Sequence, residues 1–165
     1  MKDQVILVDD KDNPIGEMDK LEVHQKGLLH RAFSLFIFND SGHLMLQRRA
    51  KGKYHSANLW SNTCCSHPRP NETTMNAAKR RLKEEMGIET VLEKKFNFIY
   101  HTPLQDNLIE HEFDHVYTGW FNGPPLLNVE EASDYRFVGL QDLKEEIKLN
   151  PEKFTEWLKI AIDYF

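Results

Sequence analysis

The sequence predicts an α/β domain in which helices and a β-sheet pack as layers. The chain has 165 residues, the size of one domain with a substantial core. Several β-prone segments are mixed with three or four candidate helices along it. No internal repeat, low-complexity tract or linker divides the sequence, so residues 1–165 are predicted to form a single domain.

The first half of the chain is predicted to form mainly β-strands separated by polar turns. Residues 32–38 are apolar and β-prone apart from Ser34, which predicts a strand buried on both faces. Asp, Asn, Pro and Gly mark the turns around it. The predicted elements are a strand over residues 4–8, a turn over 9–16, the strand over 32–38, a turn over 39–42, its partner strand over 43–48 and a loop over 50–63.

The second half contains the candidate helices. A helix is predicted over residues 73–86, because Thr73 or Thr74 can cap its start and Gly87 is placed to end it. Pro151 favours another helix start, since proline is well tolerated in the first helical turn. The other predicted elements are strands over 88–101, 112–121 and 135–138, an amphipathic helix over 140–149 and a last helix from Pro151 to about Tyr164.

Charge and composition exclude several classes of function. Lys and Arg number 21 against 26 Asp and Glu, so the net charge is −5 and no surface for nucleic acid is expected. No apolar run approaches the roughly 18 residues of a membrane span, and the charged residues 1–20 do not resemble a secretory signal. Cys64 and Cys65 are neighbours, and a disulfide between them would be strained. We therefore expect free thiols and a cytoplasmic protein.

Two cysteines beside a histidine form the first candidate for chemistry, in Cys64-Cys65-Ser66-His67-Pro68. Successive side chains of an extended chain point to opposite faces. Cys65 and His67 would then share one face, and Cys64 would take the other. A thiol beside a histidine or a metal ion can give or take a proton. Buried packing is the alternative for either cysteine.

Carboxylates and imidazoles form a candidate metal site. Glu110 and Glu112 would share one face of a strand, where two like charges need a cation or a proton between them. His24 and His30 flank a short glycine-containing loop before the buried strand. Imidazoles and carboxylates together suit Zn²⁺ or Mn²⁺. Taken singly, each of these residues is more often an ordinary surface or structural group than a metal ligand. The candidate ligands are His24, His30, His67, Glu110 and Glu112.

The helix over 73–86 carries a cation and a carboxylate four residues apart. Arg81 and Glu85 therefore lie on one face. Glu85 could hold a hard cation such as Mg²⁺ while Arg81 contacts phosphate oxygens. The alternative is a helix with surface ion pairs, each of which contributes little. Further cations that could form a local anion site are Lys20, Arg48, Arg49, Lys51 and Lys53.

This helix also lies within a longer motif. Ser66 is followed by Glu72, then by Arg80, and then by Arg81-Leu82-Lys83-Glu84-Glu85-Met86-Gly87-Ile88. The order resembles the Nudix box, Gly-x5-Glu-x7-Arg-Glu-U-x-Glu-Glu-x-Gly-U, in which U is a bulky apolar residue. Ser66 replaces the leading glycine, and Arg81 replaces a glutamate with which Nudix hydrolases hold the metals that activate water. A cation at that position argues against hydrolysis.

A second resemblance is more specific. The segment Trp60-Ser61-Asn62-Thr63-Cys64-Cys65-Ser66-His67-Pro68 closely resembles the Trp-x-Asn-x-Cys-x-His-Pro segment of the type I isopentenyl-diphosphate isomerases, within the Nudix superfamily. The resemblance runs from about Val5 to Trp157. It implies an α/β/α sandwich on a mixed sheet. It also implies an enzyme of isoprenoid biosynthesis that interconverts isopentenyl and dimethylallyl diphosphate through a carbocation.

The resemblance further implies a role for each site residue. The five candidate ligands would hold a Mn²⁺, Zn²⁺ or Mg²⁺ ion, and Glu85 with the Cys65 carbonyl would hold a separate Mg²⁺ at the diphosphate. Cys65 and Glu112 would transfer protons, with Tyr100 beside Glu112. The implied substrate-binding residues are Lys20, Arg49, Lys53 and Arg81 for the diphosphate and Trp157 for the hydrocarbon. A Nudix hydrolase and a non-catalytic binding module are the alternatives, and the presence of Cys65, Glu112 and the histidines disfavours the second.

Overall fold

A computed structural model describes residues 3–165, and within this range nine strands form one sheet. The strands are β1 (Gln4–Val8), β2 (Pro14–Asp19), β3 (His30–Phe38), β4 (Leu44–Arg49), β5 (Trp60–Ser61), β6 (Cys64–Ser66), β7 (Glu93–Pro103), β8 (Ile109–Trp120) and β9 (Ala132–Val138). The helices are α1 (Lys20–Lys26), α2 (Thr74–Met86), α3 (Leu140–Leu149) and α4 (Glu156–Ala161), with short 3₁₀ turns at Pro151–Lys153 and Ile162–Tyr164.

Strand β3 lies at the centre of the sheet. It pairs antiparallel with β1 and β6, and parallel with β8. β8 pairs antiparallel with β7, and β4 pairs antiparallel with β9. A parallel pair among antiparallel ones makes the sheet mixed, which confirms the predicted sheet type.

Helices cover both faces of this sheet. Ile37 of β3 is fully buried and packs in one apolar cluster with Leu82 and Met86 of α2. Its neighbour Phe36 points the other way and packs in a second cluster with Trp157 of α4. Since alternate strand residues face opposite sides, the apolar run of β3 contributes to both clusters. The predicted α/β/α sandwich, and the burial of its central strand on both faces, are confirmed.

Two of the predicted helices have the predicted bounds almost to the residue. Thr73 caps α2, because its hydroxyl oxygen accepts a hydrogen bond from the Asn76 amide at 3.1 Å. Gly87 ends α2 in the left-handed conformation, with φ of 64°. Helix α3 begins at Leu140 and ends at Leu149. No helix within residues 3–165 is long and apolar enough to cross a membrane.

The prediction for residues 9–29 was wrong in two respects. The turn predicted over 9–16 is shorter, because β2 begins at Pro14 and pairs with β1. Helix α1 was missed altogether, although Asp19 caps it by accepting from the Glu22 amide at 3.2 Å. Its seven residues are too few for a helical apolar period to stand out.

Three further differences concern pairing and boundaries. The turn over 39–42 does connect β3 to β4, but the two strands pair only at Phe38 and Leu44, and the main partner of β4 is β9. The last helix is not continuous from Pro151, because Thr155 caps a new helix after a 3₁₀ turn. The predicted loop over 50–63 contains the short strand β5, and β7, β8 and β9 begin a few residues away from the predicted bounds.

The position of Gly87 gives a test of the fold. We expect Gly87→Ala to unfold at a lower urea concentration, because a Cβ there would lie 2.6 Å from the Leu126 Cβ. Gly42→Ala is a matched control, since Gly42 also has positive φ (74°), but no neighbouring heavy atom of the residues that the structure describes lies within 4 Å of the added Cβ. The left-handed conformation should cost about 1–2 kcal/mol at both sites, and crowding should add roughly 1–3 kcal/mol at Gly87 alone. Equal losses would contradict this packing.

Candidate functional site

A cavity of about 540 Å³ opens where α1, the loop after β4, β6, α2, β8 and α4 meet. Behind its wall lie three further residues predicted for the site, His24, His30 and Tyr100, which are buried. The predicted site residues that line it are Lys20, Arg49, Lys53, Cys65, His67, Arg81, Glu85, Glu110, Glu112 and Trp157. The fold thus brings together residues that are far apart in the sequence.

The two cysteines point to opposite faces of β6, as strand alternation predicted. The Cys64 thiol is fully buried under α2 and donates to Glu85 Oε2 at 2.9 Å. The Cys65 thiol faces the cavity and donates to Asn62 Oδ1 at 3.0 Å, with Ser34 Oγ 3.6 Å away. Burial raises the pKa of the Cys65 thiol, and the nearby Asp114 carboxylate raises this pKa further. The group facing the cavity is therefore a thiol that keeps its proton at neutral pH.

The register of the sheet surrounds Glu112 with polar partners. Glu112 in β8 lies opposite His30 of β3 on one side and opposite Tyr100 of β7 on the other. The Tyr100 hydroxyl donates to Glu112 Oε1. Glu112 Oε2 lies 2.7 Å from His67 Nε2 and 3.2 Å from His30 Nε2. All three contacts bring a polar group to the Glu112 carboxylate, which is only 6% exposed.

The second carboxylate, Glu110, lies on the same face of β8. Its Oε1 is 3.1 Å from His24 Nε2. Burial raises the pKa of Glu110 well above its usual value, and the neighbouring Glu112 carboxylate adds to this. Burial also acts to raise the pKa of Glu112, but contacts with His30 and His67 outweigh it and hold that pKa well below its usual value. Of these two adjacent carboxyl groups, Glu110 therefore favours the protonated form and Glu112 favours the ionised form.

The histidines fit a metal ion in their geometry and in their donor atoms. Ligand atoms of His24, His30, His67 and Glu112 all lie within 4.8 Å of one another. His30 Nε2 is buried and faces Glu112, but no group in the described part of the chain forms a hydrogen bond with it. The opposite ring nitrogens are held by backbone carbonyls, His24 Nδ1 by Lys20 O at 2.7 Å and His30 Nδ1 by Leu28 O at 2.9 Å. Carbonyl contacts of this kind orient imidazoles that bind metals.

Glu110 belongs to a second candidate ligand group. Its carboxylate oxygen, His24 and His55 also have ligand atoms within 4.8 Å of one another. His24 is therefore shared by both groups. The two groups between them contain all five candidate ligands, and they add His55, which the sequence analysis did not select.

Cations line the other end of the cavity. Arg81 Nη2 lies between two carboxylates, 2.7 Å from Glu85 Oε1 and 3.2 Å from Glu131 Oε1. Glu131 Oε2 also binds Lys53 Nζ at 2.7 Å. The Nε atoms of Arg49 and Arg81 are buried and have no hydrogen-bond partner within residues 3–165. Unsatisfied guanidinium donors in a cavity favour an anionic ligand there.

Not every cation suggested by the sequence faces the cavity. Arg49 is 9% exposed and lines it, whereas the adjacent Arg48 is exposed and donates to Asn58 O at 3.0 Å. Lys51 is also exposed and does not line it. Lys20 lines the cavity, with its Nζ 3.4 Å from Asp3 Oδ2.

Trp157 forms an aromatic wall of the cavity. Its indole Nε1 donates to Ser61 Oγ at 2.9 Å, which fixes the ring. The guanidinium of Arg49 lies 5.1 Å from the ring centroid. The large ring therefore contacts both a cation and open space in the cavity.

Several residues of the site were missed by sequence reasoning. Tyr54 and His55 belong to a segment that was predicted only as a loop, and the cluster of Lys53, Tyr54 and His55 beside Arg49 was the available signal. Glu131 precedes β9 and has no motif around it.

Asp114 could have been found, because it continues the alternation of Glu110 and Glu112 on one face of β8. It is 1% exposed and accepts from Ser34 Oγ at 2.7 Å.

Similar chains identify the family. The chain is 54% identical over 163 residues to "Isopentenyl-diphosphate Delta-isomerase 2" of Aromatoleum aromaticum. This alignment covers 99% of this chain and 86% of the relative. It is 53% identical over 157 residues to the "Isopentenyl-diphosphate Delta-isomerase" of Serratia proteamaculans, covering 95% of this chain and 88% of that relative.

Solved structures share the fold at low sequence identity. A protein from Deinococcus radiodurans superposes with a TM-score of 0.82 at 20% identity, over 98% of each chain. The MutT protein of Methanosarcina mazei superposes with a TM-score of 0.66 at 19% identity, over 82% of this chain and 91% of its own. Residues 28–158 match the NUDIX domain. The chain therefore belongs to the NUDIX domain family and, within it, to the isopentenyl-diphosphate Delta-isomerases.

Proposed function

We propose that this protein interconverts isopentenyl diphosphate and dimethylallyl diphosphate by metal-dependent protonation and deprotonation. One observation carries the proposal. A thiol and a carboxylate, Cys65 and Glu112, line the same cavity as a group of cations with unsatisfied donors. This cavity fits a molecule whose anionic end contacts the cations and whose short apolar end contacts Cys65 and Glu112.

The reaction requires two proton transfers at different carbons. A proton is added at the terminal alkene carbon, which leaves a tertiary carbocation. Another proton is then lost from the carbon that lies between this cationic carbon and the methylene carbon bearing the diphosphate, so that the double bond moves inward. Cys65 and Glu112 are the two groups proposed for these transfers. The Cys65 thiol holds a proton, whereas Glu112 is held as a carboxylate, so one can give a proton while the other takes one. In the reverse direction the two groups exchange roles.

Two aromatic residues support this chemistry. Trp157 presents a ring that can stabilise the carbocation by about 0.5–2 kcal/mol, and its hydrogen bond to Ser61 keeps the ring in place. Tyr100 donates to Glu112, so it orients the carboxylate and can pass a proton to it. The walls must also exclude water, which would otherwise quench the cation.

The cations are proposed to bind the diphosphate. Arg49 and Arg81 each offer a buried donor that has no partner among the described residues, and Lys53 and Lys20 line the same cavity. Binding at this remote end can position the short hydrocarbon against Cys65 and Glu112. Glu85, together with the carbonyl of Cys65, is the proposed holder of Mg²⁺, which would neutralise part of the diphosphate charge.

A second divalent ion is proposed at the histidines. His24, His30, His67, Glu110 and Glu112 would hold it, and their imidazole-rich donor set suits Mn²⁺ or Zn²⁺ better than Mg²⁺. Such an ion would supply the positive charge that lets two buried carboxylates stay side by side. The histidines themselves orient Glu112 towards the cavity.

The proposed activity can be tested by incubating the protein with isopentenyl diphosphate, Mg²⁺ and Mn²⁺. We expect dimethylallyl diphosphate to form until the two isomers reach equilibrium, with no release of phosphate. Product analysis by chromatography and a phosphate assay measure both outcomes. Release of phosphate, or of a nucleoside monophosphate from a nucleoside diphosphate derivative, without isomerisation would instead indicate a Nudix hydrolase.

The two cysteines give a matched pair of variants. We expect Cys65→Ala to lower kcat by about 10²–10⁴-fold, the usual contribution of a group that transfers a proton. Cys64→Ala should keep kcat within a few-fold, because its thiol faces α2 and not the cavity. Steady-state kinetics of both variants, with circular dichroism to confirm folding, make the comparison. Equal losses of kcat would contradict the assignment of Cys65.

A further inference from the structure

We infer that His55 is a sixth ligand of the histidine metal centre, alongside His24, His30, His67, Glu110 and Glu112. This inference rests on the proposed metal centre and extends it. His55 lies in the loop between β4 and β5, is 5% exposed, and lines the cavity.

The position of His55 is that of a ligand. Its Nε2 lies 3.5 Å from Glu110 Oε1, and the same oxygen lies 3.1 Å from His24 Nε2. These three ligand atoms are mutually within 4.8 Å, the same spread as in the neighbouring group around Glu112. The two groups meet at His24, which is common to both.

The orientation of the His55 ring is fixed from behind. Its Nδ1 lies 3.1 Å from Ser56 Oγ, which leaves Nε2 facing Glu110. The ring also contacts Tyr54 edge-on at 4.6 Å and Trp157 edge-on at 5.7 Å between centroids. A polar partner on one ring nitrogen, with the other nitrogen directed at the ion, is the usual arrangement of metal-binding histidines.

The backbone around His55 is shaped for this placement. Ser56 has φ of 53°, in the left-handed region that non-glycine residues rarely adopt. Arg49 Nη2 also donates to the carbonyl of His55 at 3.1 Å, which ties the loop to β4. Backbone of this kind persists where surrounding contacts hold it, and it is often found at functional sites.

Six protein ligands would change the character of the centre. Four imidazoles and two carboxylates supply six donors, the number of an octahedral site for a first-row divalent metal. Such a set leaves no position for a water molecule. The centre would then fix Glu110 and Glu112 in place, and the hydrocarbon would meet their carboxylates, not an open metal position.

The test counts imidazole ligands directly. Protein stripped with chelator is reloaded with Co²⁺ alone, and X-ray absorption at the cobalt edge is compared for the original chain and for His55→Gln. We expect four imidazole ligands in the original chain and three in His55→Gln. Co²⁺ affinity, measured by chelator competition, should fall at least tenfold, since even the loss of a group that orients a ligand costs about 10–100-fold.

Two further variants complete the design. Ser56→Ala removes only the partner of Nδ1, so it should weaken Co²⁺ binding less while four imidazoles remain. His43→Gln removes an exposed histidine and should change neither quantity. Three imidazoles in the original chain, unchanged by His55→Gln, would overturn the inference but leave the metal centre standing. Absence of bound Co²⁺ in the original chain would overturn the metal centre itself, whatever the isomerase assay gives.

Discussion

The buried carboxylate of Glu112 is the constraint on which the rest of the site depends. Removing an ionised carboxylate from water costs several kcal/mol unless close partners compensate for it. Glu112 is 6% exposed, and its partners are His30, His67 and Tyr100. Each of them comes from a different segment, so the carboxylate can be accommodated only when the sheet is fully assembled. The chemistry of the site and the register of the sheet are therefore one problem.

The register meets this demand with few residues. Parallel pairing of β3 with β8 sets His30 beside Glu112, and antiparallel pairing of β7 with β8 sets Tyr100 on the other side. Antiparallel pairing of β3 with β6 sets Cys65 opposite Ser34. A shift of one residue in any pair would turn these side chains to the opposite face. The apolar run of β3, which is buried on both faces, specifies this register because its side chains must fill two cores.

Local patterns were predicted well because their physics is local. The alternation of Cys64 and Cys65 follows from the geometry of any extended chain, and the caps of α2 follow from Thr73 and Gly87 themselves. The pairing of β4 with β9 was not predictable in this way, since its partner lies far along the chain. His55 was missed for the same reason. The cluster of Lys53, Tyr54 and His55 marks its loop as a candidate, but it does not indicate that the fold places His55 beside Glu110 and His24.

The resemblance to a family supplied what local patterns lacked, namely a reason to connect distant polar residues. The chain departs from the pattern of the Nudix hydrolases at Arg81, where those enzymes have a glutamate. In the structure Arg81 bridges Glu85 and Glu131, and its Nε has no hydrogen-bond partner within residues 3–165, so this face of α2 presents a cation to the cavity. Its neighbour Arg80 pairs with Glu72 and supports the turn before α2.

The central claim is that a divalent ion at the histidines compensates the charge of Glu112, and thermal unfolding with metal analysis tests it most directly. Chelator-treated protein would be measured with and without Mn²⁺, in the absence of any diphosphate, beside Glu112→Gln, which keeps the shape and removes the charge. We predict about one tightly bound ion per original chain and a higher Tm with Mn²⁺, since an ion at 100 times its Kd stabilises the fold by about 2.7 kcal/mol. Glu112→Gln should lose both the ion and the Tm increase. An unchanged Tm and no bound Mn²⁺ in the original chain would contradict the claim.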